Sequence, residues 1–290
     1  MKKHSLNEKN IAIVINPSSG QEFPILARLN EFFSEYNANW DIFVTKRGSN
    51  RFDFKKYDII VVYGGDGTFT DVARQAKEKP ILMLHGGTAN TIPKDLGIPG
   101  KIDEGLKLLA NGKIREMDSI LANRKKCFFK VAAGSYIKEY HDISREDKDK
   151  MGYFAYIYKL LEDSANDKKI KFKITIDKRI KKVECQLLAI ANNAGFGIEG
   201  LKVHPDISAF DGKLDLLLLK NTKITTLSEI ALSSIFNKSP VSLVHKKIKD
   251  ITIESDKKLL WLFDEEYYEL KKVRIKVQPG NISVLVPKKK

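Results

Sequence analysis

From residue 10 to 118 the chain alternates short apolar runs with segments of helical spacing. The runs Ile11–Ile15, Ile59–Tyr63 and Ile81–Leu84 are β-branched or aliphatic almost throughout, as strands covered on both faces of a parallel sheet are. Between the first two, Ile25, Leu26, Leu29, Phe32, Phe33 and Tyr36 recur at three- and four-residue intervals, which predicts a helix with one buried face. This alternation predicts an N-terminal, Rossmann-like parallel α/β domain over residues 1–118. After Asp118 the pattern changes. Lys171–Asp177, Leu187–Ala191, Lys213–Leu219, Ile248–Glu254 and Leu259–Phe263 have a period near two in the clearest cases, which predicts antiparallel strands in a mainly β second domain, residues 119–290. The extreme C-terminus is free to return to the first domain. One helical insert, Tyr153–Leu161, interrupts the strands, and the Lys-rich stretch 138–150 reads as an exposed loop or a polar helix face.

Composition adds limits. A chain of 290 residues, 42% hydrophobic and 30% charged, has the make-up of a soluble globular protein of about two domains. Cys127 and Cys185 have no metal-ligand spacing, so they read as reduced structural thiols of a cytoplasmic protein. No apolar run approaches the roughly 18 residues that would span a bilayer, and the run after the basic start breaks at Asn16-Pro17, as a first strand and not a signal peptide would. The net charge of +14 predicts attraction to polyanions: nucleotide, anionic membrane or nucleic acid. Zinc-finger spacing and RNA-binding aromatic motifs are absent, so no nucleic-acid partner is expected. A lysine-rich surface solvated by water alone is the plain alternative.

Three apolar strands end in turns of small residues: Asn16-Pro17-Ser18-Ser19-Gly20, Gly64-Gly65-Asp66-Gly67-Thr68 and Gly86-Gly87-Thr88-Ala89-Asn90. The carboxyl ends of strands in an open α/β sheet form the ligand crevice. Glycine there allows close approach of a ligand and positive φ, and amides at a following helix start favour phosphate. Asp66 among such amides would repel phosphate unless a cation mediates, which implies magnesium. His85 reads as a strand-end residue with a local hydrogen bond, and His204 and His141 have no partner at metal-ligand spacing.

These residues resemble the diacylglycerol kinase catalytic family, which includes bacterial lipid kinases and, more distantly, sphingosine and ceramide kinases. The resemblance covers nearly the whole chain. AsnProSerSerGly at 16–20 is similar to the family's first nucleotide loop, Thr45 stands where the second strand ends in threonine, and GlyGlyAspGlyThr at 64–68 matches its signature. GlyGlyThrAlaAsn with LeuGlyIlePro at 96–99 matches a third element. In the second half, Gly195-Phe196-Gly197, Pro205 and Asp211-Gly212-Lys213-Leu214-Asp215 are similar to the family's glycine turn and AspGly-x-LeuAsp element. Asp264-Glu265-Glu266 sits where the family has AspGlyGlu.

The resemblance implies an ATP- and Mg2+-dependent kinase acting on a lipid hydroxyl, with its active site in the cleft between an α/β domain and a β-rich lipid-substrate domain. It implies that Asn16, Pro17, Ser18, Ser19, Gly20, Thr45, Gly64, Gly65, Asp66, Gly67, Thr68, Phe69, Thr70 and Thr88 surround the nucleotide. Asp66 steers the catalytic magnesium, and Glu266 is the base that accepts the hydroxyl proton. Asp211, with the carbonyls of Ser208 and Lys213, is implied to bind a structural magnesium. Thr91 stands where most members have aspartate, Thr70 where asparagine is usual, and Glu265 replaces a glycine, which alters the turn if that position needs positive φ. An NAD kinase-like enzyme and a non-catalytic nucleotide- or lipid-binding regulator are the alternatives; the GlySerThrAla signature of NAD kinases is absent. Peripheral contact with an anionic membrane is expected, and exposed strand edges are compatible with a homodimer.

Overall fold

The computed structural model describes residues 6, 9–17, 22–36, 38–46, 50–87, 90–135, 137, 169–194, 202–221 and 223–288. The predicted insert Tyr153–Leu161 and the stretch 138–150 lie outside these. Two compact units divide the chain: one runs to Met117 and resumes at Gly280, and the other extends from Asp118 to Pro279.

In the first unit, β1 (Asn10–Ile15), β2 (Asn39–Val44), β3 (Ile59–Gly64) and β4 (Ile81–His85) form a parallel sheet in the order β2-β1-β3-β4. The last strand of the chain, β14 (Glu266–Val286), adds its end alongside β4, with Val284 opposite Ile81. β1, β3 and β4 are buried almost throughout, which is why they are written in Ile, Val and Leu, whereas the edge strand β2 is half-exposed. Helix α1 (Glu22–Tyr36) buries Ile25, Leu29 and Phe33, and Phe33 stacks on Trp40 with centroids 5.6 Å apart. Leu26, which the spacing includes in the buried face, is exposed. Short helices follow: α2 (Asp66–Ala73), α3 (Thr91–Asp95), α4 (Ile102–Leu106) and α5 (Leu108–Asn111).

The second unit is antiparallel. Its strands are the later part of β5 (Lys113–Ala122), then β6 (Lys125–Cys127), β7 (Lys130–Gly134), β8 (Ile170–Ile176), β9 (Arg179–Cys185), β10 (Leu187–Ala191), β11 (Leu214–Leu219), β12 (Leu243–Ile248), β13 (Asp250–Phe263) and the greater part of β14. The path runs β12-β11-β10-β7-β13-β14, and the β8–β9 hairpin attaches to β13. The two predicted strands Ile248–Glu254 and Leu259–Phe263 are largely one strand, β13, with an irregularity between Glu254 and Leu259. Its core gathers Trp261, Phe172, Phe263, Leu214, Leu216 and Leu218. β11 is buried at all six residues because its odd-numbered leucines, Leu217 and Leu219, enter a second cluster with Ile230. Ile230 belongs to a helix absent from the sequence expectation, α6 (Ile224–Ile235), which covers the face that a two-layer strand leaves to water. Among the described residues no helix is long and apolar enough to cross a membrane.

Candidate functional site

The parallel strands end side by side, and their carboxyl-terminal residues are tied together by backbone bonds. The Asn16 amide donates to the Tyr63 carbonyl at 3.0 Å and the Thr45 amide to the Ile15 carbonyl at 2.9 Å. Asn16 Nδ2 also donates to Thr68 Oγ1 at 3.2 Å. Pro17 follows in a turn; Ser18, Ser19, Gly20 and Thr88 are outside the described residues. Phe69 and Thr70 are buried within α2, and the Phe69 amide donates to the Gly65 carbonyl at 3.2 Å.

The glycines of two turns pack on each other. A Cβ on Gly86 would fall 2.6 Å from the Gly64 nitrogen, and one on Gly87 2.5 Å from the Gly65 Cα. None of these four glycines has a left-handed φ, so backbone-to-backbone contact, and not positive φ, requires glycine at 86 and 87, while a Cβ on Gly64 would fall 2.6 Å from Thr68 Oγ1 and one on Gly65 would make only an ordinary 3.7 Å contact. Asp66 opens α2 and locks the same pair of turns: its Oδ2 accepts the Thr91 amide at 3.1 Å and its Oδ1 the Ile92 amide at 3.0 Å. It thereby satisfies two free amides at the start of α3. Asn90, left-handed at φ 49°, accepts the Gly87 amide at 2.7 Å on its Oδ1. Thr91 is buried and meets Asp66 through its backbone. His85 bonds the Ile98 carbonyl through Nε2 at 2.8 Å, a local bond as its strand-end position suggests.

In the β unit the AspGluGlu turn joins β13 to β14, with Phe263 paired to Glu266. The left-handed residue is Asp264 at φ 51°, and Glu265 is not left-handed, so glutamate in place of glycine is no obstacle to this turn. Asp264, unassigned by sequence, is buried and accepts three backbone amides: Phe128 at 2.8 Å, Phe129 at 2.9 Å and Lys130 at 3.0 Å. Glu266 is half-buried, and Tyr268, two residues on and on the same strand face, donates its hydroxyl to Glu266 Oε2. Burial, with the Glu265 charge, pushes the Tyr267 phenol up, so it stays protonated.

The Asp211–Asp215 turn is equally polar. Gly212 takes φ 69°, where glycine is needed, and donates to Asp118 Oδ2 at 2.7 Å. Asp211 Oδ1 accepts the Lys213 amide at 3.0 Å, and its Oδ2 faces the Lys247 ammonium. Ser208 Oγ accepts the Phe210 amide at 3.3 Å. Lys247, opposite Asp215 across β11 and β12, also lies 3.4 Å from its Oδ1, while His245 Nε2 is 2.6 Å from that oxygen. Burial pushes the Asp215 carboxyl up, and His245 and Lys247 counter that shift. The His204 ring lies against that of His245, centroids 3.9 Å apart. With Asp206 these two offer ligand atoms within 4.8 Å of one another, a group able to hold a cation. His204 therefore does have partners, supplied by the fold and not by sequence spacing. Asn193 is buried with neither amide atom bonded, a further polar group that sequence reasoning missed.

Comparison with known proteins agrees in both units. The diacylglycerol kinase catalytic domain family matches residues 10–122, and the family described as the YegS C-terminal NAD kinase beta sandwich-like domain matches residues 131–286. The chain is 25% identical over 300 residues to a Bacillus subtilis protein named diacylglycerol kinase, covering 97% of this chain and 98% of that one. It is 26% identical over 280 residues to a Staphylococcus aureus protein of the same name, covering 89% and 86%. A crystal structure of a diacylglycerol kinase from Bacillus anthracis superposes with a TM-score of 0.78 at 24% identity, covering 96% of this chain and 97% of that one. With two family matches in succession from Asn10 to Val286, the chain belongs to the bacterial diacylglycerol kinase-like family, a catalytic domain followed by a YegS-type β domain.

Proposed function

We propose that the protein is an ATP- and magnesium-dependent lipid kinase that transfers the γ-phosphate to the hydroxyl of a diacylglycerol-like acceptor. The observation that carries this reading is the pair of glycine turns packed backbone to backbone and bridged by Asp66, in a chain of this family. In the reading, amides at the start of α2 receive phosphate, for which free N–H groups and the helix dipole are suited. Asn16, Pro17, Ser18, Ser19, Gly20, Thr45, Gly64, Gly65, Gly67, Thr68, Phe69, Thr70 and Thr88 make up the nucleotide site. Each Asp66 oxygen accepts one amide and keeps a second lone pair, which fits a hydrated divalent cation. Bound there, the cation would neutralise charge on the transferring phosphoryl group.

Glu266 serves as the base that accepts the hydroxyl proton, and the Tyr268 hydroxyl, donating to its Oε2, holds the carboxylate in place. A structural cation at Asp211, with Ser208 and Lys213, has to displace the Lys247 ammonium, so the turn as it stands does not fit one and no step passes through it. The acceptor is met at an anionic membrane surface, to which a chain of net charge +14 is attracted. The test is mass spectrometry of a total lipid extract incubated with the protein, ATP and magnesium, with a parallel incubation on NAD. A phosphorylated lipid supports the reading. Phosphorylated NAD without lipid product replaces it with an NAD kinase-like activity, and no product in either, with ATP binding intact, leaves a regulator.

A further inference from the structure

Helix α6 is apolar on two opposite faces. Ile230 enters the core beside Leu217, Leu219 and Leu243. On the other side Leu232, Ile235 and Phe236, spaced three and four apart, are 55%, 62% and 67% exposed, and Val241 in the loop to β12 is 93% exposed. A helix apolar all round is ordinarily enclosed, so an open ridge of large side chains marks a surface that something covers. The ridge is continuous with a groove lined by Ser228, Leu232, Phe236 and Lys238.

Charge identifies what covers it. Exposed lysines flank the helix at both ends, Lys223 before it and Lys238 after it, and between residues 221 and 247 there is a single acid, Glu229. That acid is turned onto the backbone, accepting the Val241 amide at 2.5 Å and the Ser242 amide at 3.2 Å. These bonds fold the Val241 loop back against α6 and leave the rim of the ridge basic. A two-fold contact between copies of this chain would bring Lys223 and Lys238 of both together, whereas an anionic bilayer offers phosphates to the lysines and acyl chains to the ridge.

We propose that α6 and the loop to β12 form the face by which the protein docks on an anionic membrane, with Leu232, Ile235, Phe236 and Val241 entering the interface. The docking role rests on the lipid-kinase reading only for its purpose, since the surface stands on its own geometry. The test is sedimentation of the full chain with phosphatidylglycerol or phosphatidylcholine vesicles, for the wild type and for L232S/F236S and V241S, whose sites are exposed. Folding is checked by the urea midpoint. Wild type should bind the anionic vesicles, and L232S/F236S at least about tenfold more weakly. In F236W the new indole should shift its emission to the blue on anionic vesicles alone.

Full binding by L232S/F236S, no binding by wild type, or a dimer that those substitutions dissociate would overturn the docking face; the last would assign it to a second copy. Phosphorylation of a water-soluble short-chain diacylglycerol separates the two claims. An unchanged rate in L232S/F236S, with a reduced rate on vesicle-borne substrate, supports both. Vesicle binding that depends on the ridge, without phosphorylation of either substrate, leaves docking standing and sinks the kinase reading.

Discussion

Replacing Asp264 with alanine is the perturbation whose size follows most directly from the structure. Its carboxylate is buried and is the acceptor for the amides of Phe128, Phe129 and Lys130 at 2.8–3.0 Å. Alanine leaves three buried donors without this acceptor, and each unsatisfied group costs about 1–3 kcal/mol. Alanine also tolerates the left-handed φ of this position less well than aspartate. Allowing for local relaxation, the loss is about 3–6 kcal/mol, a large part of the roughly 5–15 kcal/mol that holds a domain. With m near 2 kcal/mol/M in urea, the midpoint of the β unit should fall by about 2 M. Asp264→Asn keeps an acceptor oxygen and should lose about half as much. Tryptophan emission in a Trp40→Phe background reports this, because Trp261, the other of the two tryptophans, is fully buried in the β unit. A midpoint for Asp264→Ala within about 0.3 M of the parent would show that these amides do not depend on the carboxylate.

Asp66→Asn should cut phosphoryl transfer by about 10²-fold or more while lowering stability by about 1 kcal/mol, the scale of a lost helix cap; unchanged turnover in the folded variant removes Asp66 from the site. Glu266→Gln should preserve ATP affinity and lower turnover by about 10²-fold or more, and Tyr268→Phe, which removes the hydroxyl bonded to Glu266 Oε2, should lower it less. Normal turnover in Glu266→Gln means another group is the base. Burial, and then His245, hold the His204 pKa below its ordinary 6.5, so the unfolded chain binds the proton more readily. The stability this contributes is present above pH 6.5 and is lost as pH falls through the folded pKa. His204→Gln should therefore flatten the decline of the urea midpoint below pH 6.5, and an unaltered slope contradicts the assignment.

β1, β3 and β4 were legible because each is buried on both faces and so is written as an unbroken aliphatic run, whereas the half-exposed edge strand β2 has no such run. Helix α6 was not legible. Its sequence, IleThrThrLeuSerGluIleAlaLeuSerSerIle, is rich in β-branched residues and serine, which favour helix weakly. Its open face carries large apolar side chains too, so spacing does not single out the face that packs on the sheet. The glycines at 64, 65, 86 and 87 announced a special site, but sequence suggested positive φ and ligand approach where the fold uses them to bring one turn against another. Asp264 and the His204–His245 pair were invisible for a simpler reason. Their partners lie 134 to 136 residues away in one case, and in the other a residue that precedes β11 meets one on β12, so only folding brings them together.

The most direct test of the central claim is transfer of label from γ-phosphoryl-labelled ATP into the organic phase, using the purified chain with diacylglycerol in mixed micelles and magnesium. The account predicts a labelled phospholipid that forms with wild type, requires magnesium and is nearly lost with Asp66→Asn. A folded wild-type protein that binds ATP yet labels neither diacylglycerol nor any other membrane lipid would contradict it.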